Sequence, residues 1–384
     1  VPRVETGWTV LDHDIVDTYL AAVGDLSDGA PRDLRIVTTA LHGVGGPVLS
    51  RVLAQAGFTD VHPVTQQVEP DADFPTVSFP NPEEKGAIDL SLALASQVEA
   101  DIVIANDPDA DRCAMAVLDP RVGDSGGWRM LHGDEVGALL GSEVAARAAE
   151  AAYGANPLGG DGSPGAGTAG ILANSIVSSR LLERIAAGHN LGYATTLTGF
   201  KWIARTPGLI FGYEEAIGFC VDPASVRDKD GISAGLIMAQ LANRLKAQGR
   251  TVIDQLDDIA RQHGLFLTDQ LSLRFDNLAQ IPETMDRLRA NPPAALVGSP
   301  IVETADLADG YQGLPPTDGM LFRSADDTRV IIRPSGTEPK VKCYLEVIHP
   351  VEYDAIFDRV TDARVSARCI LDDLTQEIAT LLAT

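Results

Sequence analysis

The chain has 384 residues, more than one hydrophobic core usually holds, so two or three domains are expected. Hydrophobic residues make up 45% of the sequence and charged residues 22%, a composition that excludes disorder for most of the chain. Thirty basic residues against 54 acidic ones give a net charge of −24, and a field of that sign repels nucleic acid and anionic membranes.

The cysteines and the apolar runs indicate where in the cell the protein is expected. Four cysteines are far apart and form no CxxC pair, which predicts neither a zinc site nor a disulfide framework. No apolar run approaches the ~18 residues of a membrane helix, and the opening Val-Pro-Arg is not typical of a signal peptide. The simplest expectation is a protein of the reducing cytoplasm.

The first predicted unit is an α/β domain over residues 1–152. Its elements, in chain order, are an apolar strand at 34–37, a glycine-rich loop at 39–46, a helix that begins at Pro47, a strand at 101–105, an apolar run at 113–118 and a helix at about 133–152. A strand, a glycine-rich turn and a helix in this order make one βα unit.

A glycine-rich segment separates this unit from a second α/β domain. Residues 154–170 contain seven glycines and little that could pack, so we interpret residues 153–170 as an exposed loop or joint. The second domain covers residues 171–268. Its elements are a strand at 171–177, a helix at 179–187 and a long helical pattern at 232–247.

The last predicted unit, residues 269–384, is rich in strands. Its elements are strands at 271–275, 319–322, 329–333 and 340–348, and a helix from about 350 to 382. Strands with little helix between them predict an antiparallel sheet covered by helices, and therefore a smaller α+β domain.

Three acidic side chains, Asp107, Asp109 and Asp111, alternate in a loop (the acidic loop, residues 106–112) that follows an apolar strand. In an extended segment, period-two spacing turns the three carboxylates to one side, where they can converge on one divalent metal ion. The loop is not an EF-hand, because Arg112 stands where that loop needs glycine. A solvated Asp-Pro turn is the alternative, but the position at the carboxyl end of a buried strand favours the metal.

A second motif, the Arg333 loop (residues 333–340), reads Arg-Pro-Ser-Gly-Thr-Glu-Pro-Lys and follows an apolar strand. It offers a guanidinium, two hydroxyls, backbone amides beside a glycine and an ammonium, which together suit a phosphate dianion. The segment lacks the pattern GxxxxGK[ST], so nucleotide binding is not predicted. An ordinary Ser-Gly turn with surface charges is the alternative that spacing alone leaves open.

Two further loops carry glycine beside polar residues. One reads Thr-Gly-Phe-Lys-Trp at 198–202, and the other, the glutamate loop, reads Gly-Tyr-Glu-Glu-Ala-Ile-Gly at 212–218. The two carboxylates could accept hydrogen bonds from vicinal sugar hydroxyls, and Lys229 could act as an acid or base or contact phosphate. A solvated glutamate pair is the alternative.

The glycine-rich turn that contains His42 could cradle a phosphate, but a tight βα turn explains Gly43, Gly45 and Gly46 equally well. We favour the structural role.

In chain order, five motifs resemble the phosphohexomutase superfamily, and most closely its phosphoglucomutase/phosphomannomutase branch. They are the His42 turn, Asp107-Pro-Asp-Ala-Asp-Arg112, Thr198-Gly-Phe-Lys201, Gly212-Tyr-Glu-Glu-Ala-Ile-Gly218 and Arg333-Pro-Ser-Gly-Thr-Glu-Pro-Lys340. The resemblance spans essentially the whole chain. The acidic motif and the Arg333 motif are each specific, so their occurrence together in this order is strong evidence.

The resemblance implies a fold. Members have three related α/β domains, then a smaller domain whose antiparallel sheet carries the phosphate loop, all around a cleft. By that pattern, residues 1–152 and 171–268 are two related three-layer α/β domains, the second and third, and residues 269–384 are the fourth. The first domain carries a Thr-Ala-Ser-His-Asn-Pro type loop with the phosphorylated serine, and these 384 residues contain no such loop.

The resemblance also implies a mechanism, in which a phosphoserine phosphorylates a hexose monophosphate and the bisphosphate reorients before returning its other phosphate to the serine. The implied roles are binding of Mg²⁺ for Asp107, Asp109 and Asp111; action at the catalytic centre for Arg112 and Lys229; sugar contacts for Lys201, Glu214 and Glu215; and a grip on the non-reacting phosphate for Arg333, Ser335, Gly336, Thr337 and Lys340. Ala216 departs from the family pattern, because several relatives place a serine there.

Two functions of different classes follow. The first, which we favour, is an isomerase, a phosphoglucomutase or phosphomannomutase that uses Mg²⁺ and hexose 1,6-bisphosphate; the 384 residues alone are then expected to be inactive. The second is a Mg²⁺-dependent sugar-phosphate binding protein without activity. A phosphatase with an aspartate nucleophile in the acidic loop is a weaker third, because matching Thr/Ser and Lys motifs do not follow. The expected partner is a small sugar phosphate.

Overall fold

The structure of the chain is a computed structural model, which describes residues 6–123, 126–155, 170–275, 277–335 and 339–383. Three sheets organise these residues. Two of them combine parallel with antiparallel strands and carry helices, and the third is antiparallel throughout. The α/β fold class expected from the sequence is therefore confirmed.

The first sheet uses residues up to Met130. Its elements, with the helices between them, are α1 (Asp14–Gly24), β1 (Ile36–Thr39), α2 (Gly46–Gln55), β2 (Val61–Pro63), α3 (Asp89–Val98), β3 (Ile102–Asn106), β4 (Cys113–Asp119) and β5 (Gly127–Met130). The strand order is β2-β1-β3-β4-β5, in which β1 is parallel to both neighbours and β4 and β5 are antiparallel. All residues of β1 and β3 are buried, as near-continuous apolar runs between two helical layers require.

The second sheet has four strands. The elements of this part are α4 (Gly133–Ala155), β6 (Ile171–Ser175), α5 (Leu181–Gly188), β7 (Gly192–Thr196), α6 (Phe200–Ile203), β8 (Leu209–Glu214), β9 (Gly218–Cys220), α7 (Gly231–Ala247) and α8 (Val252–His263). The strand order is β7-β6-β8-β9, in which β6 is parallel to β7 and β8. As in the first sheet, the carboxyl ends of the parallel strands meet at one edge, where loops converge.

Two helices pack on the sheet that is not their neighbour in sequence. Helix α4 follows β5 but packs against β8 and α5, whereas α7 follows β9 but also packs against β3, β4 and α2. In α7, 14 of the 17 residues are buried, as expected for a helix between two layers. One hydrophobic core therefore runs through both sheets. The boundaries at 1–152, 153–170 and 171–268 stay a prediction, and most of the joint, residues 156–169, lies outside the described residues.

The third sheet is antiparallel and belongs to the last part of the chain. Its elements are β10 (Leu265–Arg274), α9 (Gln280–Ala290), β11 (Ala295–Leu296), β12 (Ser299–Asp306), β13 (Met320–Ser324), β14 (Arg329–Pro334), β15 (Lys340–His349) and α10 (Phe357–Ala383). The strand order is β10-β15-β14-β13-β12-β11. Val341, Cys343 and Leu345 of β15 pack with α10 in one core, so the alternate residues of the strand face the other two sheets.

The sequence placed parts of this last unit incorrectly. Strand β10 begins at Leu265, not at residue 271, and β11 and β12 were not predicted. In β12 exposed residues alternate with half-buried ones, so the strand has no continuous apolar run. The final helix begins at Phe357 and not near residue 350. Within the described part of the chain, the helices are all too short or too polar to cross a membrane.

Candidate active site

The three acidic side chains predicted from the sequence converge. One carboxylate oxygen of each of Asp107, Asp109 and Asp111 lies within 4.8 Å of the others. Asp107 is buried, Asp109 is exposed and Asp111 is half-buried, so the cluster opens to solvent on one side. The acidic loop that carries them joins β3 to β4 at the carboxyl end of β3.

The loop adopts this shape through one residue in the left-handed region. Ala110 has a φ of +59°, a value that non-glycine residues rarely adopt. Its amide donates to the carbonyl of Asp107 at 3.0 Å, and the amide of Arg112 donates to Oδ1 of Asp107 at 3.0 Å. The turn therefore folds back on Asp107, which brings the later carboxylates to the same side.

Neighbouring backbone supports the acidic loop at close range. The amide of Gly231, at the start of α7, donates to the carbonyl of Ala110 at 3.1 Å. A β-carbon at Gly231 would lie 2.2 Å from the carbonyl oxygen of Arg112, so no other residue fits there without displacing the loop. Helix α7, which belongs to the second predicted unit, thus supports the acidic loop of the first.

The His42 turn packs against the same loop. The amide of Val44 donates to the carbonyl of Pro108 at 2.8 Å, and a β-carbon at Gly43 would lie 2.2 Å from Cα of Pro108. The imidazole of His42 is buried, and its Nε2 lies 2.8 Å from Oγ1 of Thr76. These contacts agree with the structural role favoured for the turn, because its glycines permit close backbone approach.

The donor set of the acidic loop suits a hard divalent cation. Burial raises the pKa of Asp107, against the opposing effect of the Arg112 guanidinium, whose Nε lies 2.5 Å from Oδ2 of Asp107. Asn106, immediately before, is 1% exposed, and its Oδ1 has no partner among the described residues, while its Nδ2 donates to the carbonyl of Arg112 at 2.7 Å. An acceptor oxygen without a donor beside three carboxylates fits an oxygen-ligated ion with bound water.

Lys229 reaches the acidic loop from the segment before α7. Its Nζ lies 2.9 Å from Oδ2 of Asp111 and 5.6 Å from the centre of the Phe200 ring. Burial disfavours the charged ammonium, but the hydrogen bond to Asp111 and nearby carboxylates outweigh burial and raise the pKa of Lys229. At neutral pH this side chain is therefore an ammonium, which can donate a proton or bind an anion.

The glutamate loop is joined to the acidic loop by backbone. Arg112 pairs with Gly218 in an isolated antiparallel bridge, and the amide of Cys113 donates to the carbonyl of Ile217 at 3.0 Å. Ile217 is fully buried with a φ of +55°, an outlier for a β-branched residue. Strain of this kind persists only where the surrounding structure enforces it.

The two glutamates of this loop have separate partners. Oε1 of Glu214 accepts from the amide of Gly199 at 2.6 Å. Oε2 of Glu215 accepts from the hydroxyls of Ser178 at 2.9 Å and Ser175 at 3.2 Å. Burial raises the pKa of both carboxyls, and the nearby carboxylates of Asp134 and Glu214 help to raise the pKa of Glu215 to about 7.

The Arg333 loop meets these loops from the third sheet. Nη1 of Arg333, near the end of β14, lies 2.5 Å from Oγ1 of Thr198. The amide of Ser335 donates to the carbonyl of Lys340 at 2.8 Å across the loop. Gly336 and Thr337, which were assigned to the same phosphate grip, lie outside the described residues.

A cavity of about 430 Å³ lies between the glutamate loop and the third sheet. Glu215 and Ala216 line it from the loop, Lys340 and Lys342 from β15, and His132 from the residue before α4. Elements from all three sheets thus bound one polar space. Lys201 is exposed, and no ion pair involves it in the described part of the chain.

Four groups at this site were not predicted from the sequence: Asn106, Ser175, Ser178 and Lys342. A signal existed for the two serines, because Ser175 ends β6 and Ser178 follows it at the carboxyl edge of a parallel sheet, where ligands bind. Lys342 alternates with Lys340 on one face of β15, a period-two pattern that was also readable.

Three family models match consecutive parts of the chain. Residues 17–120 match the phosphoglucomutase/phosphomannomutase alpha/beta/alpha domain II, residues 132–262 match domain III, and residues 273–363 match the C-terminal domain. The matches cover well over half of the chain. The chain belongs to the phosphoglucomutase/phosphomannomutase family, as its motifs indicated.

Named relatives agree with this assignment. A probable phosphomannomutase from Haemophilus influenzae is 42% identical over 346 residues, covering 90% of this chain and 66% of the relative. A phosphoglucomutase from Staphylococcus epidermidis is 32% identical over 388 residues, covering 94% and 67%. A human phosphopentomutase is 34% identical over 342 residues, covering 83% and 54%. The chain thus spans between about half and two thirds of the length of these relatives.

Solved structures share the fold. A putative phosphomannomutase from Thermus thermophilus has a TM-score of 0.62 at 20% identity, with 94% of this chain and 68% of that chain covered. An N-acetylphosphoglucosamine mutase from Aspergillus fumigatus, solved with GlcNAc-6P and magnesium, has a TM-score of 0.51 at 16% identity, with 93% and 65% covered.

Proposed function

We propose that the protein is a magnesium-dependent phosphohexomutase, which interconverts hexose 1-phosphate and hexose 6-phosphate through a phosphoserine and a hexose 1,6-bisphosphate. The observation that carries the proposal is a series of contacts from the acidic cluster to the Arg333 loop. Asp111 binds Lys229, whose ammonium lies over the ring of Phe200. Two residues earlier, Thr198 contacts Arg333. These contacts join the proposed metal site to the proposed sugar and phosphate sites. A sugar phosphate has the groups that such a set of sites would bind.

The acidic cluster would hold the ion. Asp107, Asp109 and Asp111 would bind Mg²⁺, which when bound neutralises charge on the transferring phosphoryl group. Magnesium in the structural neighbour from Aspergillus fumigatus supports this choice of ion. Arg112, which the acidic loop presents beside the cluster, would contact the same phosphoryl group.

The other loops would orient the substrate. Arg333, Ser335, Gly336, Thr337 and Lys340 would hold the non-reacting phosphate. Lys201, Glu214 and Glu215 would contact the sugar hydroxyls, and Lys229, as an ammonium, would act at the reacting end. The guanidinium and ammonium groups also oppose the repulsion that a chain of net charge −24 exerts on an anionic substrate.

The chemistry requires two transfers of opposite direction. In the first, a sugar hydroxyl attacks the phosphorus of the phosphoserine, the bond from phosphorus to the serine oxygen breaks, and the hydroxyl proton ends on the serine. In the second, the serine hydroxyl attacks the other phosphate of the bisphosphate. None of the serines among the 384 residues lies in a Ser-His-Asn loop, so we propose that the carrier is outside them.

Calorimetry with the 384-residue chain tests this proposal. We expect glucose 1-phosphate and glucose 1,6-bisphosphate to bind in the presence of Mg²⁺, and Arg333→Ala to weaken binding by about 1.5 to 3 kcal/mol, the size of a charge-assisted hydrogen bond. We expect no interconversion of glucose 1-phosphate and glucose 6-phosphate by this chain. Absence of binding would refute the sugar-phosphate site, and robust turnover would refute the assignment of the serine.

The sugar itself is a finer part of the proposal. The named relatives include a phosphopentomutase, so a pentose phosphate belongs in the same binding series. A cytoplasmic location and the exclusion of nucleic acid and membrane as partners stay predictions. The alternative, a binding protein without activity, would share the binding results but would remain inactive when joined to a phosphoserine domain.

A further inference from the structure

A short segment, residues 175–180, runs from the last residue of β6 to the residue before α5 and lies between the third sheet and the glutamate loop. It includes Ser175, Ser178 and Ser179, all of which are buried. The segment contacts both neighbours with polar groups, although it is not itself one of the motifs of the proposed function.

On one side, the segment is held by two buried residues of the third sheet. Arg329 of β14 donates to the carbonyls of Ile176 at 3.0 Å and Ser178 at 2.7 Å. Glu346 of β15 accepts from the hydroxyl of Ser179 at 2.9 Å and from the amide of Arg180 at 2.8 Å. Arg329 and Glu346 are 7% and 1% exposed, so water does not compete for these bonds.

On the other side, the segment holds Glu215. The hydroxyl of Ser178 donates to Oε2 of Glu215 at 2.9 Å and accepts from the backbone amide of Glu215 at 3.1 Å. Ser175 donates to the same oxygen at 3.2 Å. One hydroxyl that bonds both the main chain and the carboxylate of a residue fixes its rotamer as well as its position.

The residues that hold the segment share a sheet face with the residues of the proposed phosphate grip. Arg329 lies opposite Glu346 in the register of β14 and β15, and Arg333 lies opposite Lys342 four residues further along. Residues separated by an even number along a strand point to the same side. One face of the third sheet therefore binds the segment at one place and carries Arg333 at another.

Stability alone does not explain the charges of this contact. Burial opposes ionisation of Glu346, but Arg329 and Arg180 outweigh it and lower the pKa of Glu346, so an ionised carboxylate lies between two guanidinium groups. Buried charges of this kind are often no more stabilising than well-packed apolar residues. What they supply is a defined geometry, because each donor and acceptor bonds in one direction.

We propose that Ser178 is a positioning residue for Glu215, and that Glu346 and Arg329 set its position from the sheet that carries the Arg333 loop. Recognition of sugar hydroxyls by Glu215 then depends on the docking of the third sheet, whereas binding of a bare phosphate does not. This inference rests on the proposed function, since it requires Glu215 to face a sugar.

The test compares two buried serines. Ser178→Ala removes the hydroxyl that holds Glu215, and Ser91→Ala is the matched control, because the hydroxyl of Ser91 is buried without a partner among the described residues. Calorimetry would use glucose 1-phosphate and inorganic phosphate, each with Mg²⁺. We expect Ser178→Ala to weaken the binding of glucose 1-phosphate about tenfold, a loss within the range of one hydrogen bond, and to change the binding of inorganic phosphate less than about twofold.

Each outcome has one meaning. Wild-type affinity of Ser178→Ala for glucose 1-phosphate would overturn the inference, and so would an equal loss for both ligands. If the unsubstituted chain binds neither ligand, it is the proposed function that fails. Ser91→Ala is expected to bind both ligands as the unsubstituted chain does.

A second pair of variants tests the link to the sheet. Glu346→Gln should weaken the binding of glucose 1-phosphate. The double variant with Ser178→Ala should bind glucose 1-phosphate no more weakly than Glu346→Gln does, because both substitutions act on the position of Glu215. Asp306→Asn is the control, since it removes the carboxylate charge from the 2.8 Å pair with Arg289 elsewhere in the same unit. Additive losses in the double variant would overturn the link. If Glu346→Gln does not fold, Ser178→Ala alone decides the positioning role.

Discussion

The ammonium of Lys229 lies 2.9 Å from the carboxylate of Asp111, so a side chain from the segment before α7 contacts the cluster at the end of β3. The pair brings a cation to a proposed metal ligand. A positive charge at this distance opposes binding of a second cation, and it also offers an anion a partner once the metal neutralises the carboxylates.

Removal of this cation should change metal and substrate affinity in opposite directions. We expect Lys229→Met to tighten Mg²⁺ binding in the absence of substrate by about fivefold, the upper range for a partly exposed ion pair. The same substitution should weaken the binding of glucose 1-phosphate. Calorimetry with MgCl₂ measures the first effect. Lys246→Met is the control, because Lys246 forms a pair of equal length, 2.9 Å, with Asp101 on the surface. Weaker Mg²⁺ binding by the Lys229 variant would contradict the arrangement.

Asp109 separates metal binding from folding. It is exposed, and the described residues offer it no hydrogen bond or ion pair. Asp109→Asn should therefore leave the unfolding free energy without Mg²⁺ unchanged or slightly higher, since it removes repulsion among three carboxylates. The substitution should weaken Mg²⁺ binding at least about tenfold, the smallest loss of affinity typical of groups that support a metal.

The measurement for Asp109 is thermal unfolding with and without MgCl₂. An ion that binds only the folded state adds about 2.7 kcal/mol at a hundred times its dissociation constant, so the unsubstituted chain should gain more than the variant. Asp228→Asn is the control, because Asp228 is an exposed acid 3.7 Å from Lys229 but outside the cluster. An equal Mg²⁺ effect on all three chains would exclude the acidic cluster as the site.

Gly231 tests the support of the acidic loop by α7. A β-carbon there would lie 2.2 Å from the carbonyl oxygen of Arg112 and 2.6 Å from Nδ2 of Asn106. Gly231→Ala should lower the unfolding free energy by about 1 to 3 kcal/mol, as overpacking does, and should weaken Mg²⁺ binding. Gly24→Ala is the control, because open space surrounds Gly24 at the end of α1. Unchanged stability of Gly231→Ala in denaturant unfolding would refute the contact.

The pKa of Glu215 gives a stability effect of defined sign. Its pKa is raised from 4.5 to about 7 by burial, by Asp134 from α4 and by Glu214 beside it, while Tyr344, Lys340 and Lys342 of β15 line the same cavity. Because the folded protein binds this proton more tightly than the unfolded chain does, the unfolding free energy falls as the pH rises from about 4.5 to 7. Glu215→Gln should therefore raise the unfolding free energy by about 1 to 3 kcal/mol at pH 8 and leave it unchanged near pH 4.5.

Glu303 has a lowered pKa, in contrast to the raised pKa of Glu215. The hydrogen bond from Arg323 lowers the pKa of Glu303, so its contribution to stability is present at neutral pH and disappears as the pH falls through its folded pKa. Glu303→Gln should lower the unfolding free energy at pH 8, where Glu215→Gln raises it. The same sign for both variants in unfolding curves at pH 8 would contradict the environment described for Glu215.

Local sequence determined the acidic loop and most of the strands around it. Buried strands such as β3 and β14 are short apolar runs bounded by polar loops, and Asp107, Asp109 and Asp111 repeat with the period of an extended chain. Helix α8 was not predicted, although Thr251 and Asp254 form a capping box at its start, whereas strand β12 left a weaker signal. Strand β12 is half-exposed, so it has no apolar run to mark it.

Only the tertiary structure decided which loops meet. Helix α7 follows the second sheet in sequence but packs on the first, which brings Gly231 and Lys229 to the acidic loop. The partners of Glu215 are hydroxyls on another strand end, placed by Arg329 and Glu346 of the third sheet. Local sequence specifies the conformation of each element through its neighbours along the chain. Distances between elements depend on how the shared core packs, and many sequence-distant residues set that packing together.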